Sequence, residues 1–117
     1  MNTRGKTGKR GEELAQAYVQ RYCAIRAVNW KSGRYELDII AEQQGQLFFI
    51  EVKTRTGDKF GFPEEAVDHK KISHIHAAAE SYMERYDLHP AAIRFDIIAI
   101  VLHRDGTHSL SHFRDVC

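Results

Sequence analysis

Asp38, Glu51 and Lys53 are the residues of this chain whose types and spacing point most directly to chemistry. Asp38 lies in a β-prone run, Tyr35 to Ala41, and Glu51 and Lys53 lie in another, Leu47 to Thr54. Between them Glu42-Gln43-Gln44-Gly45-Gln46 reads as a turn, so the two runs predict an antiparallel hairpin. With the turn centred on Gln44-Gly45, Asp38 falls across from Glu51 and Glu36 across from Lys53. Leu37, Ile39 and Ala41 then share the opposite face with Phe48, Ile50 and Val52. Opposed carboxylates have Cβ atoms roughly 5 Å apart and repel each other. A divalent cation held by their hard oxygens turns that repulsion into ligation, so Mg²⁺ or Mn²⁺ is the expected cofactor. Lys53, beside such an ion, could orient a water or hold a phosphate oxygen. The same residues also allow a plain Glu36–Lys53 ion pair on a solvated face. Spacing alone leaves both open.

The elements that would position these residues are legible on either side. From Gly11 the chain reads as a helix, with Leu14, Ala15, Ala17, Tyr18 and Tyr22 at helical spacing. Glu12 and Glu13 suit its positive N-terminal end. Ile25 to Trp30 predicts a short strand and Asn29 to Arg34 a loop. After the hairpin, Gly57, Gly61 and Pro63 mark a loop. Glu64 and Glu65 open a second helix that runs to about Leu88, with an apolar stripe of Ile72, Ile75, Ala79, Tyr82, Met83 and Tyr86. Pro90 closes it. Ile93 to Leu102 predicts a strand, paired with His108 to Phe113 across an Asp105-Gly106 turn. The order α-β-β-β-α-β-β predicts a single α/β domain, a central mixed β-sheet flanked by helices.

Composition narrows the field further. A chain of 117 residues with 43% apolar and 28% charged residues is an ordinary single domain, neither disordered nor fibrous. No apolar run approaches the ~20 residues needed to span a bilayer, and residues 1–10 lack a secretory pattern. Cys23 and Cys117 are too few for a disulfide framework or a zinc cage, so a reduced, cytoplasmic setting is expected. Cys23 reads as a small buried hydrophobe.

Net charge is only +1, but residues 1–10 carry Arg4, Lys6, Lys9 and Arg10 with no acid. They read as a basic N-terminal arm ahead of a domain at 11–117: a modest nucleic-acid signal, or a solvated tail. Arg55 and Lys59 after the Glu51 strand, and Lys70 and Lys71 on the second helix, are further candidates for phosphate contacts. Gly5-Lys6-Thr7 lacks the upstream glycine and strand of a phosphate loop. His69, His74, His76, His108 and His112 show no zinc spacing. Arg94 and Asp96 read as an ion pair that braces the sheet.

Asp38 followed by Glu51-Val52-Lys53 at the end of a hydrophobic strand resembles the PD-(D/E)-x-K nuclease core. More narrowly, the chain resembles the YraN-like family of small bacterial proteins, related to archaeal Holliday-junction resolvases. The resemblance runs from Gly8 to about Ile100 through Gly11-Glu12-Glu13-Leu14-Ala15, Asn29-Trp30, Glu36-Leu37-Asp38-Ile39-Ile40-Ala41 and Phe49-Ile50-Glu51-Val52-Lys53-Thr54-Arg55. It continues through Gly61-Phe62-Pro63, Ala66-Val67, Lys70-Lys71 and Arg94-Phe95-Asp96. Leu37 stands where the superfamily name has proline, and Tyr35 where family members usually carry glycine.

This resemblance implies a restriction-endonuclease-like fold and a metal-dependent nuclease acting on DNA, with branched or repair intermediates as the substrate class. Asp38 and Glu51 would hold the metal and Lys53 would assist the attacking water. Glu12 maps to an acid that resolvase relatives present from the first helix, and Glu36 would tune Lys53. Resolvase-like folds act as dimers because a two-strand incision needs two sites, which implies a homodimer. A rival expectation is a nucleic-acid-binding module of the same fold without cleavage. A third is a structural partner subunit of a DNA-processing complex.

Overall fold

Gln44 and Gly45 take φ values of 50° and 79°, the successive left-handed residues that a two-residue hairpin turn requires. In the computed structural model, which describes residues 6–57 and 69–116, this turn joins β2 (Tyr35–Gln43) to β3 (Gln46–Thr56). Ile39 pairs with Ile50, Ile40 with Phe49 and Ala41 with Phe48, which is the register expected from the turn.

β1 (Ala24–Ser32) lies antiparallel on the other side of β2. It runs through the expected loop at Asn29 and Trp30, because Lys31 and Ser32 keep their ladder pairing with Glu36 and Tyr35. The reversal is confined to Gly33 and Arg34, with Gly33 at φ 61°. α2 (His69–Arg85) precedes β4 (Ala92–Leu102), which runs parallel to β3, and β5 (His108–Phe113) returns antiparallel to β4. Asp105 shapes that last turn by accepting from the Thr107 N–H at 2.9 Å. The sheet order is β1-β2-β3-β4-β5. The expected α/β architecture and element order are the observed ones.

α1 (Lys6–Val19) includes the five residues ahead of Gly11. Lys6, Lys9 and Arg10 therefore belong to the helix, consistent with the good helix propensity of lysine and arginine. Arg4, Lys59, the Gly61-Phe62-Pro63 segment and the expected helix start at Glu64 lie outside the described residues.

α1 and α2 cover opposite faces of the sheet. Ala15 and Val19 pack on Ile39, Ala41, Phe48, Ile50, Ile98 and Ile100. Ile75, Ala78, Ala79 and Tyr82 pack on Leu37, Ile40, Leu47, Phe49 and Phe95. The hairpin is thus apolar on both faces over most of its length, where one charged face had been expected. The cause is the parallel β3–β4 crossover, which brings a helix over a face that a free hairpin would leave wet. One irregularity matters for the site. Leu37 and Ile39, two residues apart, lie in opposite cores, so the side-chain alternation of β2 breaks at Asp38.

Candidate active site

The β2–β3 ladder ends at Ile39 and Ile50. One residue further on, Asp38 turns its carboxylate toward β3, and Oδ2 accepts a hydrogen bond from the Val52 N–H at 2.8 Å. Val52 follows Glu51 directly, so this bond fixes Asp38 beside Glu51 where the two strands part. Both acids are only 9% exposed. They are not the ladder pair that the register extrapolates to. A side-chain acceptor replaces a backbone one, and the strands diverge. Glu36 likewise does not face Lys53; it pairs with Lys31, because β2 stays on β1 after it has left β3.

Glu51 meets two ammonium groups. Lys71 Nζ lies 3.0 Å from Glu51 Oε2, and Lys53 Nζ lies 3.6 Å from the same oxygen. Burial alone would lower the pKa of Lys71; the Glu51 carboxylate more than offsets it, with help from Asp38 and Glu36, and the net shift is upward. Three carboxylates therefore act on one lysine. Lys71 lies in α2, and Glu51 is the carboxylate that its ammonium contacts at 3.0 Å.

Gly11 places α1 against the same end of β3. A Cβ at Gly11 would collide with the Thr54 side chain, so only glycine allows this approach of helix to strand. Thr54 follows Lys53, which sets the half-buried Glu12 on the helix segment that touches the active end of β3. Lys9 and Arg10, just before the contact, and Arg55, just after Thr54, are exposed. These three cations flank, in sequence, the point where α1 meets β3. Lys6 lies in α1 and Lys70 in α2.

The donor set suits a hard divalent cation. Among the described residues no three His, Cys, Asp or Glu side chains form a ready cage. Mg²⁺ commonly takes only one or two carboxylates and fills its octahedron with waters and substrate phosphates. Asp38 and Glu51, adjacent and mostly shielded from water, fit that mode of binding.

A second polar cluster escaped the sequence reading. Arg94 forks onto Asp96 with two hydrogen bonds of 2.9 Å, the bracing pair that was expected. Asp96 also accepts from His112 Nε2 at 2.7 Å and from the Asp115 N–H at 2.9 Å. His112 Nδ1 pairs with the Tyr18 hydroxyl at 2.8 Å, so α1, β4, β5 and the C-terminal residues are joined through one carboxylate. Burial would raise the Asp96 pKa, but the bonds from His112, Arg94 and Asp115 lower it to about 2. Phe48 receives the Arg94 guanidinium on its ring at 4.6 Å. The period-two pairing of Leu110 with His112 was the available signal: one residue of that face is apolar, so the other points inward too. The cluster is structural. His74 packs on Tyr35 and His76 on Phe95.

No helix among the described residues is long and apolar enough to cross a membrane. Comparison with known proteins adds a family. A UPF0102 protein of Phocaeicola vulgatus is 46% identical over 95 residues, covering 80% of this chain and 78% of its own. One from Bacteroides thetaiotaomicron is 38% identical over 116 residues, covering 98% and 94%. Another, from Porphyromonas gingivalis, is 44% identical over 101 residues, covering 86% and 74%. The model of the same family matches residues 11–100, a span that contains Glu12, the β2–β3 hairpin and Lys71. The chain belongs to Uncharacterised protein family UPF0102.

Proposed function

We propose that this protein is a Mg²⁺- or Mn²⁺-dependent nuclease of the PD-(D/E)-x-K, restriction-endonuclease-like type, hydrolysing phosphodiester bonds in DNA. The observation that carries the reading is the Asp38–Glu51 pair at the parting of β2 and β3, with Lys53 and Lys71 both on Glu51. Two adjacent, shielded carboxylates are unfavourable unless cations compensate them. When bound, a divalent ion supplies Lewis-acid polarisation of a phosphate and acidifies an attacking water. Asp38 and Glu51 hold and orient it. Lys53 positions the water or steadies a phosphate oxygen, and Glu12 adds an acid from α1. Glu36 contributes to the field on Lys71. Lys9, Arg10 and Arg55 take the DNA backbone, a contact that orients without reading sequence.

Branched or recombination intermediates are the proposed substrates, and two-strand incision would require two copies of the chain. A cytoplasmic setting is part of the same proposal. A second reading has one observation in its favour: Lys53 and Lys71 already compensate Glu51 without a metal, as a non-cleaving nucleic-acid-binding module would need. The test is cleavage of labelled duplex, single-stranded and four-way-junction DNA with Mn²⁺ or Mg²⁺. The nuclease reading expects metal-dependent cutting that is lost in Asp38→Ala and Glu51→Ala. Salt-sensitive binding with no cutting by wild type supports the module instead.

A further inference from the structure

Lys71 is a lysine in an uncomfortable place. It is partly withdrawn from water, and His69 and Lys70 stand beside it in sequence. Its ammonium contacts Glu51 at 3.0 Å and lies in the fields of Asp38 and Glu36. Those carboxylates are the ones that a divalent cation would use. An ammonium 3.0 Å from Glu51 Oε2 and a cation at a ligand distance of about 2.1 Å from the same carboxylate would repel each other. The two compete for one acid.

We propose that Lys71 is an internal stand-in for the divalent cation, holding Glu51 until the metal arrives and then carrying its ammonium to a phosphate of the bound nucleic acid. The inference deepens the nuclease reading and rests on it for the identity of the second partner. Its physical content is an exchange. The metal takes the carboxylate, and the displaced ammonium, next to a divalent ion, turns to an anion that arrives with the substrate. A phosphate in the same site is the nearest chemistry able to supply one. Metal and DNA would then bind cooperatively, since each relieves a cost imposed by the other. Lys53 does not compete equally, because its ammonium stands 3.6 Å from Glu51 and follows from its own strand.

The test is Mn²⁺ binding to the full chain by titration calorimetry, without DNA, for wild type, Lys71→Met and Lys71→Arg. Removing the competing charge should tighten Mn²⁺ binding about five- to tenfold in Lys71→Met, while Lys71→Arg binds no more tightly than wild type. Glu51→Gln should abolish the binding in either background, which ties the signal to this site. With Mn²⁺ present, Lys71→Met should bind duplex DNA with a salt slope smaller by about one. Unchanged or weaker Mn²⁺ binding in Lys71→Met overturns the stand-in role, and an unchanged salt slope overturns the phosphate contact. If Lys71→Met does not fold, Lys71→Gln carries the same comparison. Cleavage is scored separately: Glu51-dependent competition without cutting keeps the inference and removes the nuclease, whereas cutting without competition does the reverse.

Discussion

Asp38 Oδ2 accepts the Val52 N–H at 2.8 Å, so a side chain occupies the place where the β2–β3 ladder would have supplied a backbone acceptor. The bond gives Asp38 a structural duty besides the chemical one proposed for it. Asp38→Ala should leave the Val52 amide without that acceptor and cost about 1–3 kcal/mol in urea unfolding. Asp38→Asn keeps an acceptor and should stay within about 1 kcal/mol of wild type. Equal stability for all three proteins would mean that the bond contributes nothing.

Gly11 sets how close α1 comes to β3. Gly11→Ala gains up to about 1 kcal/mol of helix propensity but drives a methyl group into the Thr54 side chain. Overpacking of this kind costs typically about 1–3 kcal/mol, so the substitution should destabilise on balance. Adding Thr54→Ala should recover part of the loss, seen as a coupling energy in a double-mutant cycle. Strict additivity would show that helix and strand do not meet there.

Acid should release the Asp96 clasp. The folded-state pKa, lowered to about 2 from 3.8, means that the contribution is complete above pH 3.8 and is lost as pH falls through about 2. Between pH 5 and pH 2, wild type should lose roughly 2 kcal/mol more than Asp96→Asn, which has no carboxylate to protonate at that position. Parallel curves for the two proteins over that window would remove Asp96 as the source. His112 and Arg94, both bonded to Asp96, make the neutral variant less stable at pH 7 as well.

The hairpin was legible because Gln44-Gly45 fixes a two-residue turn and β-branched and aromatic residues fill the flanking runs. Its register followed from that turn. The end of the ladder did not, because it depends on one carboxylate displacing a backbone carbonyl, a choice that hydrophobic alternation does not encode. β1 ran past its expected end because Asn29 and Gly33 carry loop character locally, while the pairing of Lys31 and Ser32 with β2 overrides it. Lys71 was visible as a cation on a helix. That it meets Glu51 depends on how α2 crosses the sheet, and no local pattern contains that. Tyr18 and His112 stand 94 residues apart, beyond any spacing rule.

The exposed cations give a graded prediction. Arg10→Ala and Arg55→Ala, both at solvent-facing positions near the end of β3, should fold as wild type and weaken DNA binding without sequence preference. Each should reduce the slope of log K against log salt by about one. Unchanged slopes would place the DNA on another face.

The most direct test of the central claim is single-turnover cleavage of a labelled four-way junction in Mn²⁺ by wild type, Asp38→Asn and Glu51→Gln, purified in parallel. The account predicts cutting by wild type, its disappearance on chelation, and a fall of at least about 10²-fold in each variant, both of them still folded. Cutting that survives in both variants, or no cutting by wild type on the junction, duplex or single strand with either metal, would contradict it.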